Sequence, residues 1–512
     1  MAPNTGIASA GGRSLDPAML HTGKWWNHSH IVKLNLLLII PLITSYANGF
    51  DGSMMNGLQS VERWKAYFHY PTEEDLGLFN AIQSIGAFCA IPIAPYVSDG
   101  LGRRNGIAVG AFIVLIGAIL QTATQNLGMF VGSRFLIGFG TTFAQMASPL
   151  LISEVAYPTH RAPLTSLYNS LWFSGSIVAA WTTFGTFRIN SDWSWRIPSA
   201  LQGLSSIVQL LFVWFLPESP RWLINRGRDE EAKAILARYH AGGDGSHPLI
   251  SFEYNEIKEA IALEAEAARV SWLDLFRTPG NRRRMRIILG IGVFSQLSGN
   301  GIISYYLTKV LDGIGITSSN DQTLVNGILA IFNFIVATGA SMTVERVGRR
   351  PFFIISTAGM LVSYAIITAM AGTYEKNQSV GAGRTLLAFV FIFNGFYDIA
   401  YTPLLGLAAM NFSVMGSIIF NQYTNPITFA ALKWKYYLVY TIWLVFELVY
   451  VWLWATETKG RSLEETAALF DGEDAVAELS NRTGHDMAQL KHDGSDSQDE
   501  KLNIEHSKRE IA

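Results

Sequence analysis

Four ionisable residues, Asp51, Arg134, Asp398 and Glu447, each fall inside a long apolar run. A charge at mid-bilayer carries a penalty of roughly 2.5 to 3.5 kcal/mol on insertion scales, so such groups usually face a cavity and find partners. If Asp51 and Arg134 meet, the cation favours the ionised acid while burial favours the neutral one. That balance suits a proton switch; a static interhelical ion pair is the other reading. Amides and rings gather at Ser295-Gln296-Leu297-Ser298-Gly299-Asn300 and Ser304-Tyr305-Tyr306. Gln296 and Asn300, four apart, are expected to share a helix face. With Tyr305 and Tyr306 they offer the hydrogen bonds and flat apolar contact that a sugar needs. Amides also glue transmembrane helices together, so packing is the alternative there, as it is for Asn169 and Asn333.

The elements that must carry these groups are apolar runs of roughly 20 residues, each long enough to cross a bilayer. Twelve are expected: 33–53, 76–97, 106–125, 128–150, 163–185, 197–216, 286–310, 322–343, 351–371, 385–404, 407–428 and 436–455. They divide the chain into a tail (1–32), a six-span half (33–216), a hydrophilic linker (217–285), a second six-span half (286–455) and a tail (456–512). The linker is expected to hold amphipathic surface helices at 229–239 and 253–269. Two repeats support homologous halves. Asp99-Gly100-Leu101-Gly102-Arg103-Arg104 returns as Glu345-Arg346-Val347-Gly348-Arg349-Arg350, and Pro217-Glu218-Ser219-Pro220-Arg221 has a counterpart in Thr456-Glu457-Thr458-Lys459-Gly460-Arg461. Internal repeats of this kind mark transporters.

Composition agrees with an all-α polytopic membrane protein. Of 512 residues, 49% are hydrophobic and 15% charged, against about 25% charged in soluble domains, and mean hydropathy is +0.23. A net charge of −2 argues against a nucleic-acid partner. The single cysteine, Cys89, rules out an intramolecular disulfide and any zinc cluster. No metal-spacing or nucleophile constellation is visible in the spans, so neither enzyme activity nor a cofactor is expected. Residues 1–30 contain no short apolar core, so the first span is expected to serve as the targeting signal. Basic residues in the linker place it, and with it both tails, on the cytoplasmic side. The sequon at Asn377 then lies outside. Lys491, Lys501 and Lys508 in the C-terminal tail could serve the ubiquitin machinery, or the tail is merely solvated.

Taken in order, Gly49-Phe50-Asp51, Asp99 to Arg104, Arg134 to Gly140, Glu154 with Arg161, Pro217 to Arg221, Gln296 to Tyr306, Glu345 to Arg350 and Glu457 to Glu464 resemble the sugar porter family of the major facilitator superfamily. Within it the chain is similar to fungal lactose and cellodextrin permeases. The resemblance implies two six-helix bundles related by a pseudo-two-fold axis around a central sugar site, and alternating access at the plasma membrane. It makes Asp51 the proton carrier and Arg134 its partner. It maps sugar contacts onto Asn169, Gln296, Asn300, Tyr305, Asn333 and Asp398. It assigns a cytoplasmic salt-bridge latch to Asp99, Arg103, Arg104, Glu154, Arg161, Glu218, Arg221, Glu345, Arg349, Arg350 and Glu457. The partners implied are a sugar, protons and the lipid bilayer. Proton-coupled uptake of a β-linked disaccharide such as lactose or cellobiose is the leading expectation. A facilitative carrier and a sugar sensor are the alternatives.

The chain departs from that family in three places. Ser295-Gln296 stands where many hexose porters have paired glutamines, and Gly301 takes the usual Asn position beside Asn300. The second half shows no counterpart of Glu154 to Arg161. Tyr401-Thr402-Pro403-Leu404-Leu405 runs almost directly into Gly406-Leu407-Ala408-Ala409-Met410-Asn411, so the tenth span must be short or the turn strained. A transport-impaired splice variant would have that form.

Overall fold

The computed structural model describes residues 16–21, 23–267, 274–277, 279–401 and 408–455. The 402–407 junction, Glu457, the tail lysines and the side chains of Glu345 and Arg349 lie outside the described residues. All regular elements among the described residues are helical. Helices satisfy every mid-bilayer backbone group internally, which is the condition for crossing hydrocarbon. The described residues of both halves up to 267 and from Leu289 to Ala455 belong to one compact unit.

Among the described residues, nine helices are long and apolar enough to span, and the bent pair Glu73–Ala90 and Ala94–Leu101, angled by 48°, makes a tenth. The other two expected spans, Arg161–Thr186 and Ala408–Leu432, are helices of 26 and 25 residues. Their Ser, Thr, Asn and Gln content makes them less apolar than the rest. The first span is Ser29–Leu58, the third Arg103–Thr122, the fourth Leu127–Val155 and the sixth Trp193–Phe215. The eighth, ninth, tenth and twelfth are Ser319–Val347, Arg349–Asn377, Val380–Ala400 and Lys435–Trp454. The tenth, with 21 residues against 29 for each of the two before it, is shorter than its neighbours yet still a full crossing.

The repeated motif is repeated in backbone as well as in sequence. Gly102 has φ 103 and ψ 160, Gly348 has φ 107 and ψ 159, and each immediately precedes a helix. That region is essentially restricted to glycine.

The seventh span differs from expectation. It is not one helix over 286–310 but two, Pro279–Leu297 and Asn300–Asp312. Gly299, at φ 92, caps the second piece in the left-handed conformation. Gln296 and Asn300 therefore lie on opposite sides of a break and share no continuous helix face.

The linker folds into Pro220–Asn225, Asp229–His240 and Pro248–Ala267. Its apolar faces pack together through Leu223, Ile224 and Ala232, with Tyr254 and Ile257 against them.

Candidate functional site

Asp51 and Arg134 do meet. Both are 1% exposed, and Arg134 Nη1 lies 3.3 Å from Asp51 Oδ1. Small residues bring the supporting helices close, Gly49 of the first span lying against the backbone carbonyl of Trp172 in the fifth. The guanidinium is fixed on its other edges: Nε donates to Phe79 O at 2.6 Å and Nη2 to Gln83 Oε1 at 2.8 Å. Gln202 of the sixth span donates to the same carboxylate oxygen, Asp51 Oδ1, at 2.6 Å. Asp51 Oδ2 is buried and accepts nothing. One oxygen is thus doubly held while the other has no hydrogen-bond partner.

A cavity of about 350 Å³ lies between the halves, within the usual range for small-molecule sites. The first half contributes Asn48, Asn56, Gln83, Trp172 and Ser176; the second contributes Gln296, Asn300, Tyr305, Asn326, Asn333, Asn394, Tyr397, Asp398 and Gln422. Amides, hydroxyls and flat rings alternate around it. Asn300 Oδ1, Asn56 Oδ1 and Asn326 Nδ2 are buried with no hydrogen-bond partner, leaving both acceptors and a donor for a polyhydroxylated guest. With its amide nitrogen turned toward the acid, Asn333 donates to Asp398 Oδ2 at 3.3 Å.

Of the expected sugar contacts, Gln296, Asn300, Tyr305, Asn333 and Asp398 line this cavity. Asn169 does not. It sits one turn before Trp172 and Phe173 on the fifth span and is exposed, beyond the end of the enclosed volume. Asp51 is also absent from the lining, but its neighbours Gly52 and Ser53 face the cavity, and Gln83 joins the lining to Arg134. Gln83, Gln202 and the Asn56–Asn326 pair were not singled out in the sequence. Each is an amide in an apolar run, a polar signal weaker than the charge that exposed Asp51 and shared with amides that only pack helices together.

The fourth buried ionisable group, Glu447, stands away from the cavity at the break in the seventh span. Ser298 Oγ lies 3.0 and 3.1 Å from its two oxygens, and Tyr401 OH donates to it at 2.7 Å. Tyr401 OH is in turn 3.1 Å from Thr357 Oγ1. The acid thus gathers the seventh, ninth, tenth and twelfth spans at one point.

The expected latch residues whose side chains are described pair partly with one another and partly with the linker. Arg103 pairs with Asp99 at 2.7 Å and Glu154 at 3.2 Å. Glu218 accepts the backbone N–H groups of Arg103 and Arg104 at the start of the third span, a helix N-terminus binding an anion. Burial nonetheless pushes the Glu218 carboxyl above its ordinary value, against the pull of those N–H groups. Arg104 Nη1 reaches only Leu216 O, at 3.4 Å. Arg161 and Arg221 turn to linker acids, Glu253 at 2.8 Å and Glu264 at 2.5 Å. Burial opposes ionisation of Glu253, but His240 and Arg161 outweigh it and hold the carboxyl below the usual range. In the second half Arg350 donates to Trp452 O at 3.1 Å. The described acid–base pairs at this end hold the first half and the linker together internally and, through Arg161 and Glu253, join the one to the other.

Bonds between the halves gather at mid-span and at the opposite end. Lys309 pairs with Glu73 at 2.7 Å. Gln59 donates to Tyr305 O at 2.9 Å, Ser319 to Ser60 O at 2.7 Å and Asn56 to Asn326 Oδ1 at 3.2 Å. Deeper in, Ser84 donates to Gln422 Oε1 at 2.7 Å.

Comparison with known proteins bears on this geometry. A sequence model of the family described as "Sugar (and other) transporter" matches residues 37–470. The chain is 27% identical over 478 residues to a high-affinity glucose transporter of Kluyveromyces lactis, covering 85% of each protein. It is 29% identical over 472 residues to the hexose transporter HXT9 of Saccharomyces cerevisiae, covering 85% of this chain and 82% of the other. In fold it is similar to the E. coli xylose transporter XylE in a partially occluded inward-open conformation, with TM-score 0.70 and 22% identity over 85% of this chain and all of that one. It is equally similar, at TM-score 0.70, to XylE described as a proton:xylose symporter bound to 6-bromo-6-deoxy-D-glucose. An amide-lined cavity between two helical halves, on a chain that this family's sequence model covers almost from end to end, leads to one assignment: the protein belongs to the sugar transporter family of the major facilitator superfamily.

Proposed function

We propose that the protein takes up a sugar together with a proton by alternating access across the plasma membrane, with both termini and the linker in the cytoplasm. One observation carries the coupling: Asp51 has one oxygen held by Arg134 and Gln202 and another that is buried and unpartnered. A proton arriving at Oδ2 removes the charge that Arg134 balances. The guanidinium then leans on Gln83, and Gln83 lines the sugar cavity. Protonation and sugar binding thus act on one shared amide, the physical requirement for coupling two ligands. The bonds joining the halves at the end away from the linker support an outward-closed, inward-facing state.

The sequence resemblance favours a β-linked disaccharide; the glucose and hexose transporters among the relatives favour a hexose. Labelled-sugar uptake in a transport-deficient cell, with lactose, cellobiose and glucose as competitors, decides between them. Accumulation is expected to collapse on adding a proton uncoupler. Asp51→Asn is expected to abolish accumulation while exchange across the membrane continues. Uptake by the wild type that merely equilibrates and ignores the uncoupler identifies a facilitator and ends the symport reading.

A further inference from the structure

Outside the transport machinery, the described residues hold one cluster of side chains suited to binding a ligand of their own. His21, His28 and His30 each present a ring nitrogen, and the three nitrogens lie within 4.8 Å of one another. The rings of His21 and His28 stack with centroids 4.5 Å apart, and His21 meets His30 edge-on at 4.9 Å. His21 Nε2 and His30 Nε2 are only 3.0 Å apart. Two imidazole nitrogens can bond at that distance only when one keeps its proton and the other offers a lone pair. A cation can take the place of that proton and use both lone pairs.

We propose that His21, His28 and His30 form a cytoplasmic binding site for a divalent transition cation of the Zn²⁺ class. Ligand chemistry selects that class: imidazole suits zinc, copper and nickel, whereas calcium and magnesium demand oxygen ligands. Ligands of tetrahedral zinc at 2.0–2.1 Å stand about 3.3 Å from each other. Closing the cluster onto an ion therefore needs ring movements of about 1 Å, within reach of three half-buried side chains. The lone cysteine excludes only thiolate clusters; an all-imidazole site needs none. In the sequence His21, His28 and His30 are a tail segment without a recognised metal spacing, and it is the fold back onto the linker that gathers them.

The position gives such a cation leverage. The His21 backbone N–H donates to Tyr157 OH at 3.0 Å, while His21 Nε2, which donates to His240 O at 2.9 Å without metal, exchanges that bond for the ion. The His30 ring lies against Gly242 of the linker. His240 is bonded to Glu253 at 2.6 Å, and Glu253 to Arg161. His30 is already within the helix that opens the first span at Ser29. An ion holding the three rings braces the start of that span against the linker and the cytoplasmic end of the fourth span, beside the inner gate.

The test is zinc titration of metal-stripped, full-length protein in lipid nanodiscs against a chromophoric chelator at neutral pH. The triple variant His21→Ala/His28→Ala/His30→Ala keeps the tail histidines His485, His492 and His506, so the difference between the two proteins isolates the cluster. The wild type is expected to bind one more equivalent than the triple variant, and His28→Ala alone to weaken that equivalent at least tenfold. Added zinc is expected to raise the melting temperature of the wild type and leave that of the triple variant unchanged, because a ligand stabilises only the fold that binds it. Matching melting curves without metal show that the variant is folded. Equal stoichiometry and equal affinity in the two folded proteins overturn the site.

Discussion

At the scale of single residues, Arg134 has three guanidinium edges in use: one on Asp51, one on Gln83 and one on the Phe79 carbonyl. A lysine carries the same charge as a point on a flexible stem and cannot reproduce three directed contacts at once. Arg134→Lys is therefore expected to keep the protein folded yet lower concentrative sugar uptake at least tenfold. Initial-rate uptake of labelled sugar, set against surface expression, checks this. Wild-type accumulation in the variant would show that charge alone suffices and that the link through Gln83 carries nothing. The pair itself was legible in the sequence because charge in an apolar run is conspicuous. Gln202 and Gln83 were not, because an uncharged amide in such a run looks like helix glue until its partner is known. Asn169 falls outside the cavity lining for the converse reason: its helix face is the right one, but how far along that face the cavity extends is a tertiary property that no spacing reveals.

At the scale of elements, the seventh span shows where periodicity misleads. The apolar pattern of 286–310 continues through Ser298-Gly299, so a continuous helix was the natural expectation; the left-handed φ of Gly299 interrupts it, and a kink at Tyr306 (φ −135, ψ 31) follows. Glycine has no Cβ and takes that conformation freely, whereas other residues lose roughly 1 to 2 kcal/mol there. A Cβ at this position would also fall 2.6 Å from the Tyr364 ring, which is fully buried and donates to the Gly299 carbonyl at 3.0 Å. Gly299→Ala is thus expected to lower the melting temperature of the purified protein by several degrees. Tyr364→Phe, which removes only the hydrogen bond, should lower it by less. An unchanged melting temperature for Gly299→Ala would mean that the break tolerates a side chain. Ten of the expected spans, by contrast, were readable from apolar runs and recur among the described residues as helices long and apolar enough to cross a membrane, while the two helices that fall short of the apolar mark carry Ser176 and Gln422 in the cavity wall.

At the scale of the whole molecule, the two halves are joined at the end away from the linker by many small contacts instead of one strong one. The Lys309–Glu73 pair is about one-third exposed on each side, where such pairs contribute about 0 to 1 kcal/mol. Gln59, Ser319 and Asn56 add hydrogen bonds of modest net value. A gate assembled in this way can be biased by one substitution without being destroyed, since 1 kcal/mol shifts a two-state equilibrium about fivefold. Glu73→Gln is therefore expected to raise the outward-open population by up to about fivefold. The single cysteine makes this measurable. In a Cys89→Ser background, Ser176→Cys places one thiol in the cavity wall, and a membrane-impermeant maleimide applied from outside reports when that wall is reachable. Labelling is expected to be slow with Glu73 intact and several-fold faster with Glu73→Gln, while the same reagent applied to inside-out vesicles is expected to react readily with both. Fast outside labelling with Glu73 intact would mean that this end is the open one, and the inward-facing assignment would fall with it.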